Sequence, residues 1–101
     1  MNKIILKGNL TNDPDFTKAK KDKPAHATFS IAVNRNYGEK TDFFYCHAWR
    51  GPAEFVDEHF EKGSPILISG SVETFRKDED SPTQYSINVD SVEFAGFKKE
   101  K

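Results

Sequence analysis

Residues 41–51 read TDFFYCHAWRG, and five rings (Phe43, Phe44, Tyr45, His47 and Trp49) fall within this one short stretch. Trp49 is the only tryptophan in the chain. Flat rings held in water can stack on other flat rings. On a nucleobase such stacking is worth roughly 1–3 kcal/mol and tolerates any base, because every base has a π-face. In extended chain the side chains alternate, so the segment divides into two faces. Phe44, Cys46 and Ala48 make a wholly apolar face suited to a barrel interior. Phe43, Tyr45, His47 and Trp49 make a face of rings, most with polar handles, and Arg50 follows at its end. Packing against another subunit or under a loop is the other use of such a face. Both faces cannot be core in a small barrel, so that use requires a partner.

Tyr37 and Phe75 are candidates to extend the ring face from neighbouring strands. Phe75 is opposite in parity to the core residue Val72 and therefore points outward. Tyr37 has the parity of Phe29, Ile31 and Val33, and reaches the outer face only through a twist or bulge. Hairpin-tip packing is an equal reading for it. Arg35, Lys40, Arg50, Arg76 and Lys77 sit at predicted strand ends, and Lys18, Lys20, Lys21 and Lys23 crowd one loop. Such a loop is solvated by default, although it offers a clamp for a polyanionic backbone. The acids gather elsewhere, at Glu54, Asp57, Glu58 and Glu61 and at Asp78, Glu79 and Asp80. The 15 basic and 16 acidic residues leave a net charge of −1, so a polarised surface hides behind a nearly neutral sum.

Little points to catalysis. His26, His47 and His59 lie in different predicted elements, with no HxH or ExxH ligand spacing. Cys46 has no second cysteine, which excludes an internal disulfide and fits a reducing compartment. No nucleophile has a base partner, and the acids at 78–80 read as a solvated loop. The expectation is a protein with no catalytic site, metal site or cofactor. No stretch is apolar enough to cross a membrane, and the N-terminus lacks a signal-peptide pattern, so a cytoplasmic protein is expected.

The elements that must position these residues follow from the hydrophobic period. Residues 3–10, 26–34, 41–49, 65–75 and 84–94 read as strands, and 11–24, polar with two prolines, as a long loop. Residues 52–63 place Phe55, Val56, His59 and Phe60 at helical spacing, with Pro52 suiting the first turn and Gly63 the stop. The predicted architecture is all-β: a five-stranded antiparallel Greek-key OB-fold barrel with one α-helix between strands 3 and 4. It forms a single domain over 1–101, with a core of about 2–95 and a short polar tail at 96–101.

MNKIILKGNLTNDPDF, with Asn2, Lys3, Leu6, Gly8, Asn9, Leu10, Asp13 and Pro14 in the matching places, resembles the opening of the bacterial and phage single-stranded-DNA-binding protein family. The TDF of the third strand, the AE before the helix, KGS after it and ISGSVET continue the likeness over residues 2–94. The resemblance implies an OB fold that wraps single strands without sequence preference, in DNA replication, recombination or repair. It implies stacking roles for Tyr37, Phe43 and Trp49 and a backbone contact for Lys3. Tyr45 stands where the family has a basic residue, exchanging a phosphate contact for a ring. Lys77 stands where the family has a fourth-strand aromatic, and Phe75, two residues earlier, is the substitute. The expected interface is therefore Lys3, Arg35, Tyr37, Phe43, Tyr45, Trp49, Arg50, Phe75, Arg76 and Lys77. The family carries a long tail with an acidic tip, whereas this sequence ends in the basic Phe97-Lys98-Lys99-Glu100-Lys101, so the expectation is either a tail cut away or a short, phage-type form. The implied partners are single-stranded DNA, further copies of the chain as a homodimer or homotetramer, and replication or recombination proteins in a bacterial host cell. The alternative is an OB-fold protein-interaction module, a primosomal or recombination accessory factor with weak nucleic-acid binding.

Overall fold

The first strand, β1 (Ile4–Leu10), has to serve two neighbours, and glycine makes that possible. It pairs antiparallel with β5 (Pro65–Phe75) along most of its length and with β3 (His26–Asn34) at Asn9 and Leu10. A β-carbon on Gly8 would run into the Ala32 carbonyl oxygen and the Val33 side chain, so only glycine lets these backbones close. This computed structural model describes residues 1–96. The expected tail from Phe97 onward lies outside the described residues.

The remaining seams complete a closed barrel in the order β1-β5-β6-β4-β3-β1, where β4 is Thr41–Trp49 and β6 is Gln84–Phe94. One seam departs from the antiparallel expectation. β4 and β6 run parallel, in register at Cys46–Ile87, His47–Asn88 and Ala48–Val89. Parallel neighbours need a long crossover, which the helix and β5 supply. Gly70 sits at a register shift in the β5–β6 ladder, pressed against the backbone of Asn88, and lets the sheet curl there.

The interior is built by alternation. Phe29 and Ile31, Cys46 and Ala48, Ile66 and Ile68, and Ile87 and Val89 point inward and are buried. Ala53 and Val56 of the helix α1 (Arg50–His59) join the same core. Each large apolar side chain so buried contributes about 1.5–3 kcal/mol.

The expected five strands and one helix are all present, so the OB-barrel reading holds. The loop read at 11–24 contains an additional three-residue strand, β2 (Asp15–Thr17), paired antiparallel with His26–Thr28. It is too short to show a period. With β2 counted, the helix lies between β4 and β5, although it joins the same two segments that the sequence indicates. α1 also begins and ends earlier than 52–63. Phe60 is already extended, though its N–H still donates to the Val56 carbonyl at 3.0 Å, and Gly63 serves the turn into β5. No described helix is long and apolar enough to cross a membrane.

Candidate nucleic-acid interface

The outer face of the barrel is read most directly along the strand registers. Thr28, Ser30 and Ala32 of β3 stand opposite His47, Tyr45 and Phe43 of β4, and His26 stands opposite Trp49. Ala32 and Ser30 beside Phe43 and Tyr45 are small, so those two rings rise above their β3 neighbours. Phe43, Tyr45 and Trp49 remain 70%, 54% and 43% exposed, while Phe44, Cys46 and Ala48 turn toward the core. Burial pushes the Cys46 thiol up to about 12, so it stays protonated and unreactive near neutral pH.

Trp49 sits at the hinge between strand and helix. Its ring stacks on His26 with centroids 3.9 Å apart and an interplanar angle of 28°. His47 meets both edge-on, at 5.9 Å from His26 and 6.3 Å from Trp49. The Nε2 of His26 is buried without a hydrogen-bond partner among the described residues. Burial, then the neighbouring His47, lowers the His26 pKa, and Asp15 acts weakly the other way. Arg50 follows with φ of +58°, its N–H donating to the Ala25 carbonyl at 2.9 Å. This bend carries the chain from the ring face into α1.

At the other end of β4, its ladder with β6 stops before Tyr45. An open cavity of about 350 Å³ forms where the strands part, lined by Phe43, Tyr45, Ile4, Val72 and Tyr85. Tyr85 is 66% exposed there. Phe75 lies at the end of β5, exposed, opposite Gln84. Glu73, on the same outer face, accepts a hydrogen bond from His47 Nε2 at 3.0 Å, provided that nitrogen carries the proton.

The expected site residues therefore separate into groups. Phe43, Tyr45 and Trp49 share one strand face, with Phe75 across the sheet. Tyr37 is almost fully exposed in the loop beyond β3, which ends at Asn34. Leaving the strand releases it from the inward parity. Arg35 is engaged, its Nε and Nη2 donating to the two Asp42 carboxylate oxygens at 3.0 Å each. That hydrogen-bonded pairing holds the Asp42 carboxyl below its usual range. Lys3 precedes β1, and the adjacent Asn2 side chain clamps the Val72 backbone through bonds of 2.7 and 3.0 Å. Arg76 donates to Thr83 Oγ1 at 3.2 Å in the loop after β5, and Lys77 is exposed beside it.

Four residues beside these rings, His26, His47, Glu73 and Tyr85, are absent from the expected interface, although His47 belongs to the ring face that the sequence indicates. Tyr85 has the inward parity of Ile87 and Val89, and only the parting of the strands exposes it. His26 has outward parity, a usable signal, but nothing local pairs it with Trp49.

A family model described as the single-strand binding protein family matches residues 1–95. Among curated relatives, a single-stranded DNA-binding protein of Fusobacterium nucleatum is 36% identical over 97% of this chain. One of Oceanobacillus iheyensis is also 36% identical over 97%, and a single-stranded DNA-binding protein 2 of Listeria monocytogenes is 40% identical over 93%. The chain spans 69%, 65% and 63% of those relatives' own lengths.

Proposed function

The chain belongs to the single-strand binding protein family, and on that premise we propose that it binds and protects single-stranded DNA without sequence preference. Bases stack on Phe43, Tyr45 and Trp49, with Tyr37 and Phe75 extending the platform. Lys3, Arg50, Arg76 and Lys77 meet the phosphates, and Arg35 contributes after exchanging Asp42 for a phosphate. The process served is DNA replication, recombination or repair, by binding alone and with no reaction catalysed. One observation carries this reading: Phe43, Tyr45 and Trp49 of one strand stand exposed on the same face, the first two beside the small residues Ala32 and Ser30.

The protein acts as a homo-oligomer in the bacterial cytoplasm, beside replication or recombination proteins. The support for assembly is β1, whose Ile4–Lys7 edge away from β5 has no strand partner among the described residues, with Ile5 63% exposed. Such an edge invites pairing with another copy.

Trp49 fluorescence tests the central claim, because the signal comes from one residue. Titration with a dT oligonucleotide and with a mixed single strand is expected to quench it strongly, and duplex only weakly. No quenching by either strand, with no shift in a native gel, would overturn the reading and leave the rings to a protein partner.

A further inference from the structure

His47 stands on the ring face between Tyr45 and Trp49, and its side chain is 18% exposed. Its Nε2 meets Glu73 Oε1 at 3.0 Å, spanning the intervening strand β6, where the uncharged Asn88 is in register with His47. The Glu73 side chain is 49% exposed, so its carboxylate stays at the surface on the proposed path of the strand. A carboxylate there repels a polyanion laid along the rings. The other titratable and charged groups around His47 are few. His26 of β3 meets it edge-on at 5.9 Å, and Asp15 of β2 acts on His26. Lys18, Lys20 and Lys23 line a cavity with His26 and Trp49, in a turn that Lys20 and Lys23 close by backbone bonds of 2.8 and 3.1 Å. Arg50 follows Trp49 at the start of α1. The two neighbouring histidines are not equivalent. Burial disfavours a proton on His26, whereas a proton on His47 turns its bond to Glu73 into an ion pair.

We propose that His47 and Glu73 form a proton-linked contact within the strand-binding face, which takes up one proton when single-stranded DNA binds. This rests on the single-strand-binding reading above and adds to it a residue pair and a proton. With His47 neutral, the pair carries one negative charge toward the phosphates. With one proton from solvent on His47 the pair sums to zero, and the repulsion is cancelled. Where Nε2–H already donates to Glu73, the added proton goes to Nδ1. Binding and protonation are reciprocal, so a polyanion that favours the proton is itself held more tightly as the pH falls. Phe43, Tyr45 and Trp49 carry no basic group, which leaves His47 as the residue of that strand face able to become a cation.

The test counts the protons taken up when a dT oligonucleotide binds the parent, His47→Gln and Glu73→Gln. Binding heat is recorded at about pH 6.5 in two buffers of different ionisation heat, and affinity at about pH 6 and about pH 8 at constant salt. Thermal unfolding accompanies each variant. The parent is expected to take up protons and to bind more tightly at the lower pH, with a ceiling of roughly tenfold per pH unit for one proton. His47→Gln should take up fewer protons than the parent and lose most of that gain. Glu73→Gln should bind more tightly than the parent at the higher pH, since no carboxylate then faces the strand. A merely structural role would weaken His47→Gln alike at both pH values and leave the proton count as in the parent. That outcome, or Glu73→Gln binding no better than the parent at the higher pH, would overturn the proton-linked contact and spare the stacking reading. A parent that binds dT at neither pH would overturn both.

Discussion

His26 carries two constraints at once. Its ring backs Trp49, and its Nε2 is buried without a partner among the described residues, next to another histidine. Burial and His47 together favour the neutral ring in the folded protein. The unfolded chain, with an ordinary histidine pKa of about 6.5, takes up a proton more readily. Stability from this residue is therefore complete above about pH 6.5 and falls as the pH drops through that value. Urea unfolding of the parent should show a lower midpoint in mildly acidic buffer than at neutral pH. His26→Gln should lose much of that dependence, and equal slopes in parent and variant would refute the assignment. The outward side of β4 was legible at this scale, because side-chain alternation is local. The indole's partner was not, because His26 and Trp49 are separated by a hairpin and meet only through register.

The five long strands and the helix were readable from their periods, since each buries enough side chains to display one. β2 was hidden by its length and by the prolines around it. The junction of β4 with α1 was also hidden, and it has a mechanical consequence. Arg50 adopts the left-handed region, which costs a non-glycine residue about 1–3 kcal/mol. Arg50→Gly should relieve that strain against an entropic cost of about 0.5–1 kcal/mol, for a net gain of about 1 kcal/mol. The expected outcome is an unfolding midpoint equal to or above the parent's, with weaker single-strand binding because a cation is gone. A clearly lower midpoint would show that the arginine stabilises the bend through contacts of its own.

Charge behaves differently at the scale of the whole molecule. With 15 basic and 16 acidic residues there is no net positive charge to draw in a polyanion, so the proposed binding leans on stacking and on a sorted minority of cations. Arg35 is already paired with Asp42. Lys3, Arg50, Arg76 and Lys77, and Lys18, Lys20 and Lys23 of the loop, are free of ion pairs among the described residues. At about −0.7 per phosphate on a single strand, the log–log salt slope per protomer should be no steeper than about −5. A fluorescence titration across a salt series checks this, and a markedly steeper slope would mean that electrostatics, not stacking, leads.

The sequence by itself determined which residues of β3 and β4 point in and which point out. The two-residue period of extended chain is a property of neighbours, and TDFFYCHAW displays it without help. It also carried the family likeness, from the first strand to the fifth. Only the tertiary structure decided what those outward rings face. Closure of the barrel at Gly8, the parallel seam between β4 and β6 and the point where that seam opens are set by pairings between distant segments. The same pairings bring His26 under Trp49, Glu73 to His47 and the lysine turn to the end of the ring strand. None of these contacts has a local period, so none could be read before the strands were in register.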